Sequence, residues 1–191
     1  MKKIILIVLS FTLTVLSITP ARGQQPTEAK LKGHVYYLAD DKLKGRLTGT
    51  KGAQLAAKYI CEEYKNIGLI PFIGKKYIHK FDYTYNSNPH GGHTIDKKEI
   101  TGKNIVAYLD NGADKTILIG AHYDHLGSNE HHNSTDPNSA GEIHNGADDN
   151  ASGVAVLIEL ARSLANNDRT EKVNYIFACF SGEEDGLMGS K

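Results

Sequence analysis

The feature that most constrains this chain is an apolar stretch of helical period, residues 154–164, lying between two continuous apolar runs at 116–119 and 173–180. Val154, Leu157, Ile158, Leu160, Ala161 and Leu164 recur at the three- and four-residue spacing that puts them on one buried helix face. The flanking runs are short, begin after Lys115 and Lys172 and end at Gly120 and Ser181, and are apolar enough to be strands buried on both faces. A helix between two such strands is a βαβ crossover, which commits the chain to an α/β sheet. The 191 residues, 40% hydrophobic and 23% charged, suffice for one domain with a real core. The expected fold is a central mixed, mostly parallel sheet flanked by helices.

Other elements fall around this unit. Leu31, Val35, Tyr36 and Leu38 suggest a peripheral helix and turn over residues 28–43, with His34 structural. A second helix is predicted from Lys51 to Ile67, its stripe formed by Leu55, Tyr59, Ile60, Tyr64 and Ile67 and its stop supplied by Gly68. Residues 77–85 read as a strand, and 86–93 as a loop whose histidines, like His79, have no partner at ligand spacing. Residues 104–109 alternate as a strand, and Asn111-Gly112 predicts a hairpin to a buried central strand at 116–121. The polar loop 127–145 is long enough to invite a functional reading, with His131, His132 and His144 as candidate substrate contacts.

The first 23 residues differ in kind. Lys2 and Lys3 precede an apolar stretch, and Ala21-Arg22-Gly23 offers small residues at a cleavage site, the pattern of a secretory signal peptide. The mature chain is then expected at residues 24–191, exported to a periplasmic or extracellular space and without stable membrane insertion. Loss of Lys2, Lys3 and Arg22 leaves 19 basic against 22 acidic residues, a net charge of −3. With no basic cluster, nucleic acid is excluded as a partner. Export permits a disulfide between Cys61 and Cys179, but both lie among apolar neighbours and read equally as buried small hydrophobes.

Three polar stretches sit at the ends of these elements. Gly146-Ala147-Asp148-Asp149-Asn150-Ala151-Ser152-Gly153 leads into the crossover helix, His122-Tyr123-Asp124-His125 follows the first strand, and Ser181-Gly182-Glu183-Glu184-Asp185 follows the second. In an open α/β sheet that edge is where sites form. The acidic pair before the helix suits either a cap or a metal. Taken together, an imidazole, a carboxylate able to bridge two ions and a Glu pair have the composition of a zinc hydrolase site. His122 would give a nitrogen to one ion, and Asp124 would hold its tautomer from behind. Asp148 would bridge, and of Glu183 and Glu184 one would bind metal while the other binds water.

These stretches, with Arg46-Leu47-Thr48-Gly49 and the helix after it, resemble the co-catalytic zinc aminopeptidases of peptidase family M28 over most of residues 30–191. The resemblance implies two zinc ions, with His122 a ligand of one, Asp148 the bridge, Glu184 a ligand of the other, Glu183 the general base and Asp124 the histidine-orienting acid. It also implies a cis peptide between Asp148 and Asp149, and peptide substrates shortened from the N-terminus. The family carries a further Asp and His ligand beyond the Glu-Glu turn, which this sequence does not contain. The expectation is therefore an enzyme in full-length form and an inactive 191-residue chain, with a sheet incomplete at its C-terminal side. A carboxypeptidase or glutaminyl cyclase on the same scaffold, or a noncatalytic binding protein, are the competing readings. Carboxylate-rich sites of this kind also accept Mn²⁺ or Co²⁺.

Overall fold

A computed structural model describes residues 26–86, 97–131, 134–136 and 141–191. The segment expected to be a signal peptide, and His90, His93 and His132, lie outside the described residues. The chain runs α1 (Glu28–Leu38), a 3₁₀ segment (Asp41–Arg46), α2 (Lys51–Ile67), β1 (Ile70–Pro71), β2 (Ile78–Asn86), β3 (Lys97–Leu109), β4 (Thr116–His122), a wide π-type turn (Ala147–Ser152), α3 (Gly153–Ala165) and β5 (Asn174–Phe180). No helix among the described residues is long and apolar enough to cross a membrane.

The helices start and stop for local reasons. Thr27 and Thr50 cap α1 and α2 by accepting from the amides of Lys30 and Ala53. Gly68 ends α2 in the left-handed region at φ 91°, as the sequence predicts. The stripe of α2 is buried through Ala53, Ala56, Ala57, Ile60, Tyr64 and Ile67. That of α3 is buried through Val154, Leu157, Ile158 and Ala161. These faces meet Ile105, Ala107, Phe177 and Cys179 of the sheet in one core. Cys61 and Cys179 are both free thiols, and the Cys179 sulfur lies 3.3 Å from the Tyr64 hydroxyl.

Behind α3 a charged network binds helices together. Glu159, nearly fully buried, accepts from Arg162 Nε at 2.8 Å, and its Oε1 lies 3.1 Å from His34 Nε2, whose Nδ1 is 2.6 Å from the Tyr59 hydroxyl. Arg162 also donates to Glu63 at 2.6 Å, so α1, α2 and α3 share one set of bonds. His34 is structural, as expected.

The sheet is mixed, but two expectations about it fail. Only β4 and β5 are parallel; β3 pairs antiparallel with β1, β2 and β5, so the described sheet is mostly antiparallel rather than mostly parallel. The predicted hairpin between β3 and β4 does not form, because β5 lies between them in the order β1-β3-β5-β4. The Asn111-Gly112 turn exists, with Gly112 at φ 68°, yet it reaches across β5. Asn174, the buried first residue of β5, accepts from the amides of Asn111 and Ala113 and donates to the Ala113 carbonyl, holding the turn over its own strand. Consequently β4 is an edge among the described strands and not a central one, with Ile117 46% and Leu118 57% exposed. The βαβ crossover itself stands as predicted, in a register that pairs Thr116 with Asn174 and His122 with Phe180.

Candidate metal centre

That register fixes the site. His122 ends β4 level with Phe180, and the chain continues on both strands past the same sheet edge, where the Tyr123 amide donates to the Phe180 carbonyl. The Glu183-Glu184 turn and the entrance of α3 therefore arrive beside His122. Ligand atoms of His122, Asp149 and Glu184 lie within 4.8 Å of one another. His122 Nε2 is 3.0 Å from Asp149 Oδ1 and 3.9 Å from Glu183 Oε2.

The carboxylate that joins this group is Asp149, and the expected bridge, Asp148, is not in it. The reason is in the backbone. Gly146 stands in the left-handed region at φ 58°, where a side chain would meet the Asp149 carbonyl and the His125 ring, and Asp149 itself is extended at φ −109°, ψ 98°. Adjacent side chains on such a turn point apart, leaving Asp148 exposed with its carbonyl accepting from Ser152 Oγ. The cis peptide is likewise one residue later than expected, at Asp149-Asn150.

Asp124 lies behind His122, fully buried. His122 Nδ1 is 3.2 Å from the Asp124 carbonyl and 3.7 Å from its carboxylate Oδ1. The carboxylate accepts from Thr48 Oγ1 at 3.0 Å and from the Glu183 amide at 3.3 Å. It therefore joins the imidazole to the Glu-Glu turn. Burial alone would lower the His122 pKa, but Asp124 first, then Glu183 and Asp149, raise it to about 9. Burial raises the Glu183 carboxyl, opposed by His122 and assisted by Glu184, Asp124 and Asp149.

Each residue of the turn after β5 is held from outside. The Ser181 amide donates to Asn104 Oδ1 and the Gly182 amide to Thr48 Oγ1. Glu184 Oε1 is 2.5 Å from His125 Nδ1. Asp185 accepts from the Tyr83 hydroxyl at 2.5 Å, and its other oxygen is 2.8 Å from His131 Nδ1. His131 is buried and stacked on Tyr85, which corrects its reading as a substrate contact. The His144 ring stands 6.3 Å from His125, edge to face, at the rear of Glu184's partner.

Sequence reasoning gave no role to His125 or Arg46, although both stand inside its quoted motifs. The signal for His125 was its place directly after Asp124 in a run of potential ligands. The signal for Arg46 was a charged residue among Leu43, Leu47 and Thr48, all buried in the fold.

One imidazole nitrogen and two carboxylates at this spacing are zinc donors by type, and the acid and histidine behind them are the outer support such ligands use. The comparisons agree. The model of peptidase family M28 matches residues 104–191. The alkaline phosphatase isozyme conversion protein of Escherichia coli is 31% identical over 147 residues, covering 77% of this chain and 40% of that protein. A protein of Arthroderma otae named as a probable leucine aminopeptidase is 32% identical over 91 residues, 46% of this chain and 22% of that one. Among solved structures, a Zn-dependent exopeptidase from Parabacteroides distasonis superposes with TM-score 0.63 at 20% identity over 85% of this chain and 49% of that one. The glutaminyl cyclase of Porphyromonas gingivalis superposes with TM-score 0.60 at 21% identity over 83% and 48%. Both show the shared α/β fold, and the chain spans less than half the length of each of these four proteins. The likeness to peptidase family M28 is carried by residues 104–191, from within β3 through the turn after β5.

Proposed function

We propose that the protein carrying this chain is a metal-dependent aminopeptidase, removing N-terminal residues from peptides at a two-zinc centre. The observation that carries the reading is the convergence of His122, Asp149 and Glu184 at one sheet edge, with Glu183 beside them. When bound, zinc would polarise the scissile carbonyl and lower the pKa of water from about 16 toward 7. Asp149, with two oxygens, is the residue able to serve two ions; His122 would complete one and Glu184 the other. Glu183 is left as the base. It approaches His122 Nε2, and its amide is pinned by Asp124. A carboxylate whose affinity for protons is raised by burial takes a proton from water more readily, and returns it to the leaving amine.

Each ion would find two protein ligands among these residues, Asp149 being shared, where a catalytic zinc ordinarily has three. We therefore expect residues 1–191 alone to be inactive and the longer reading frame to be active. Aminopeptidase is favoured over cyclase by the similarity at sequence level to a leucine aminopeptidase, the cyclase likeness being one of fold. Release of amino acids from aminoacyl p-nitroanilides by the full reading frame, before and after chelation, tests the proposal. Activity should vanish on chelation and fall by roughly 10²–10⁴ in Glu183→Gln with zinc still bound. A zinc-loaded protein that cleaves no substrate with a free N-terminus, or Glu183→Gln with full activity, would overturn it.

A further inference from the structure

Arg46 is 0% exposed, and each of its three guanidinium nitrogens donates to neutral carbonyls. Nε donates to Tyr123 O at 2.7 Å, Nη1 to Leu38 O at 2.5 Å and to Asn145 O at 2.6 Å, and Nη2 to Gly146 O at 2.9 Å. Tyr123 directly follows His122, and Gly146 lies three residues before Asp149. One side chain thus grips both stretches that bring ligands to the centre. The backbone adds to the hold on the stretch after β4: the Arg46 carbonyl accepts from the His125 amide and the Gly45 carbonyl from the Gly127 amide.

The local chain is bent to allow this. Lys44, Gly45 and Arg46 stand consecutively at positive φ of 49°, 65° and 50°. Left-handed conformation at two non-glycine residues is costly and persists where surrounding contacts over-determine it. Gly45 is seated where a side chain would strike the carbonyls of Gly127 and His144.

We infer that Arg46 is a positioning residue of the metal centre, its guanidinium setting the distance between the His122 strand end and the Asp149 turn. The inference rests on the metal-centre reading above, but its geometry stands apart from it. A planar fork of five N–H groups makes these four bonds from three separate nitrogens; a lysine ammonium, with three donors on one atom, cannot. Charge alone makes the opposite prediction. The guanidinium and the carboxylates of Asp124, Asp149 and Glu184 act on one another electrostatically, so removing its positive charge without moving the ligands would tighten binding of a metal cation. Loss of the spacer would weaken it.

The test is titration of Zn²⁺ into the 191-residue chain, wild-type, Arg46→Lys and Arg46→Met, together with amide hydrogen exchange of the zinc-free proteins. Both variants should bind Zn²⁺ at least about tenfold more weakly, and exchange should quicken at residues 122–127 and 146–151 while α2 and β5 keep their protection. Unchanged or tighter Zn²⁺ binding by the variants overturns the inference, as does a uniform loss of protection, which would make Arg46 a general core residue. Should the wild-type chain bind no Zn²⁺, the metal reading fails by itself. The exchange pattern then still decides the role of Arg46: a local loss supports it, and no local loss overturns it.

Discussion

The two acidic turns at the site are built in different ways. The turn after β5 is gripped through its amides and its side chains: Asn104, Thr48, Asp124, His125, Tyr83 and His131 each hold one position between Ser181 and Asp185. The turn before α3 is gripped from behind through carbonyls, by Arg46 on Asn145 and Gly146, and Asp149 projects from it with its side chain 62% exposed. Bonds to the side chains of Glu184 and Asp185 fix where those two carboxylates point, while Glu183 is placed through its amide. The turn held by its backbone leaves the Asp149 carboxylate exposed beside His122, where a shared ligand is required.

This contrast can be broken first at Asp185. Asp185→Ala strips buried partners from Tyr83 and His131 and should cost about 3 kcal/mol of unfolding free energy by denaturant titration. A loss under about 0.5 kcal/mol would show that the turn after β5 does not depend on its side-chain grip. His125→Ala removes the His125 bond to Glu184 Oε1 and should weaken Zn²⁺ binding about tenfold, roughly 1.4 kcal/mol, with the fold intact by circular dichroism. Equal affinity in variant and wild type would remove His125 from the support of that ligand.

The smallest effect concerns the platform beneath the other turn. Burial would raise the Glu159 carboxyl, but bonds from Arg162 and His34 prevail and hold it below its ordinary 4.5. A carboxyl depressed in the folded state adds stability that is present above its unfolded pKa and lost as pH falls through the folded one. Wild type should therefore exceed Glu159→Gln by about 1 kcal/mol at pH 7, and the gap should close in the acid range below 4.5. A gap independent of pH would assign the effect to packing.

Much of this architecture was legible in the residues. The stripes of α2 and α3 carry their period openly, and the apolar run of β5 marks a strand buried on both faces, as it is. The crossover followed from those, and with it the edge on which His122, Glu183 and Glu184 meet. What misled was local chemistry that long-range pairing overrides. Asn111-Gly112 is a good hairpin signal, but Asn174 captures it and β5 fills the gap. The edge position of β4 was invisible too, because an apolar run does not say on which of its two hydrogen-bonding edges it finds a neighbouring strand. The choice between Asp148 and Asp149 could not be read from composition, since the two residues are identical and only the left-handed Gly146 and the extended Asp149 separate them. Arg46 was hidden for the converse reason: its partners are backbone carbonyls, which leave no mark in the side-chain pattern.

The assignment of Asp149 as the shared ligand is the centre of this account, and calorimetric titration of Zn²⁺ into wild type, Asp148→Asn and Asp149→Asn tests it most directly. Asp149→Asn should lose at least about tenfold in affinity while Asp148→Asn stays within about twofold of wild type. The reverse order, or equal losses in both, would contradict it.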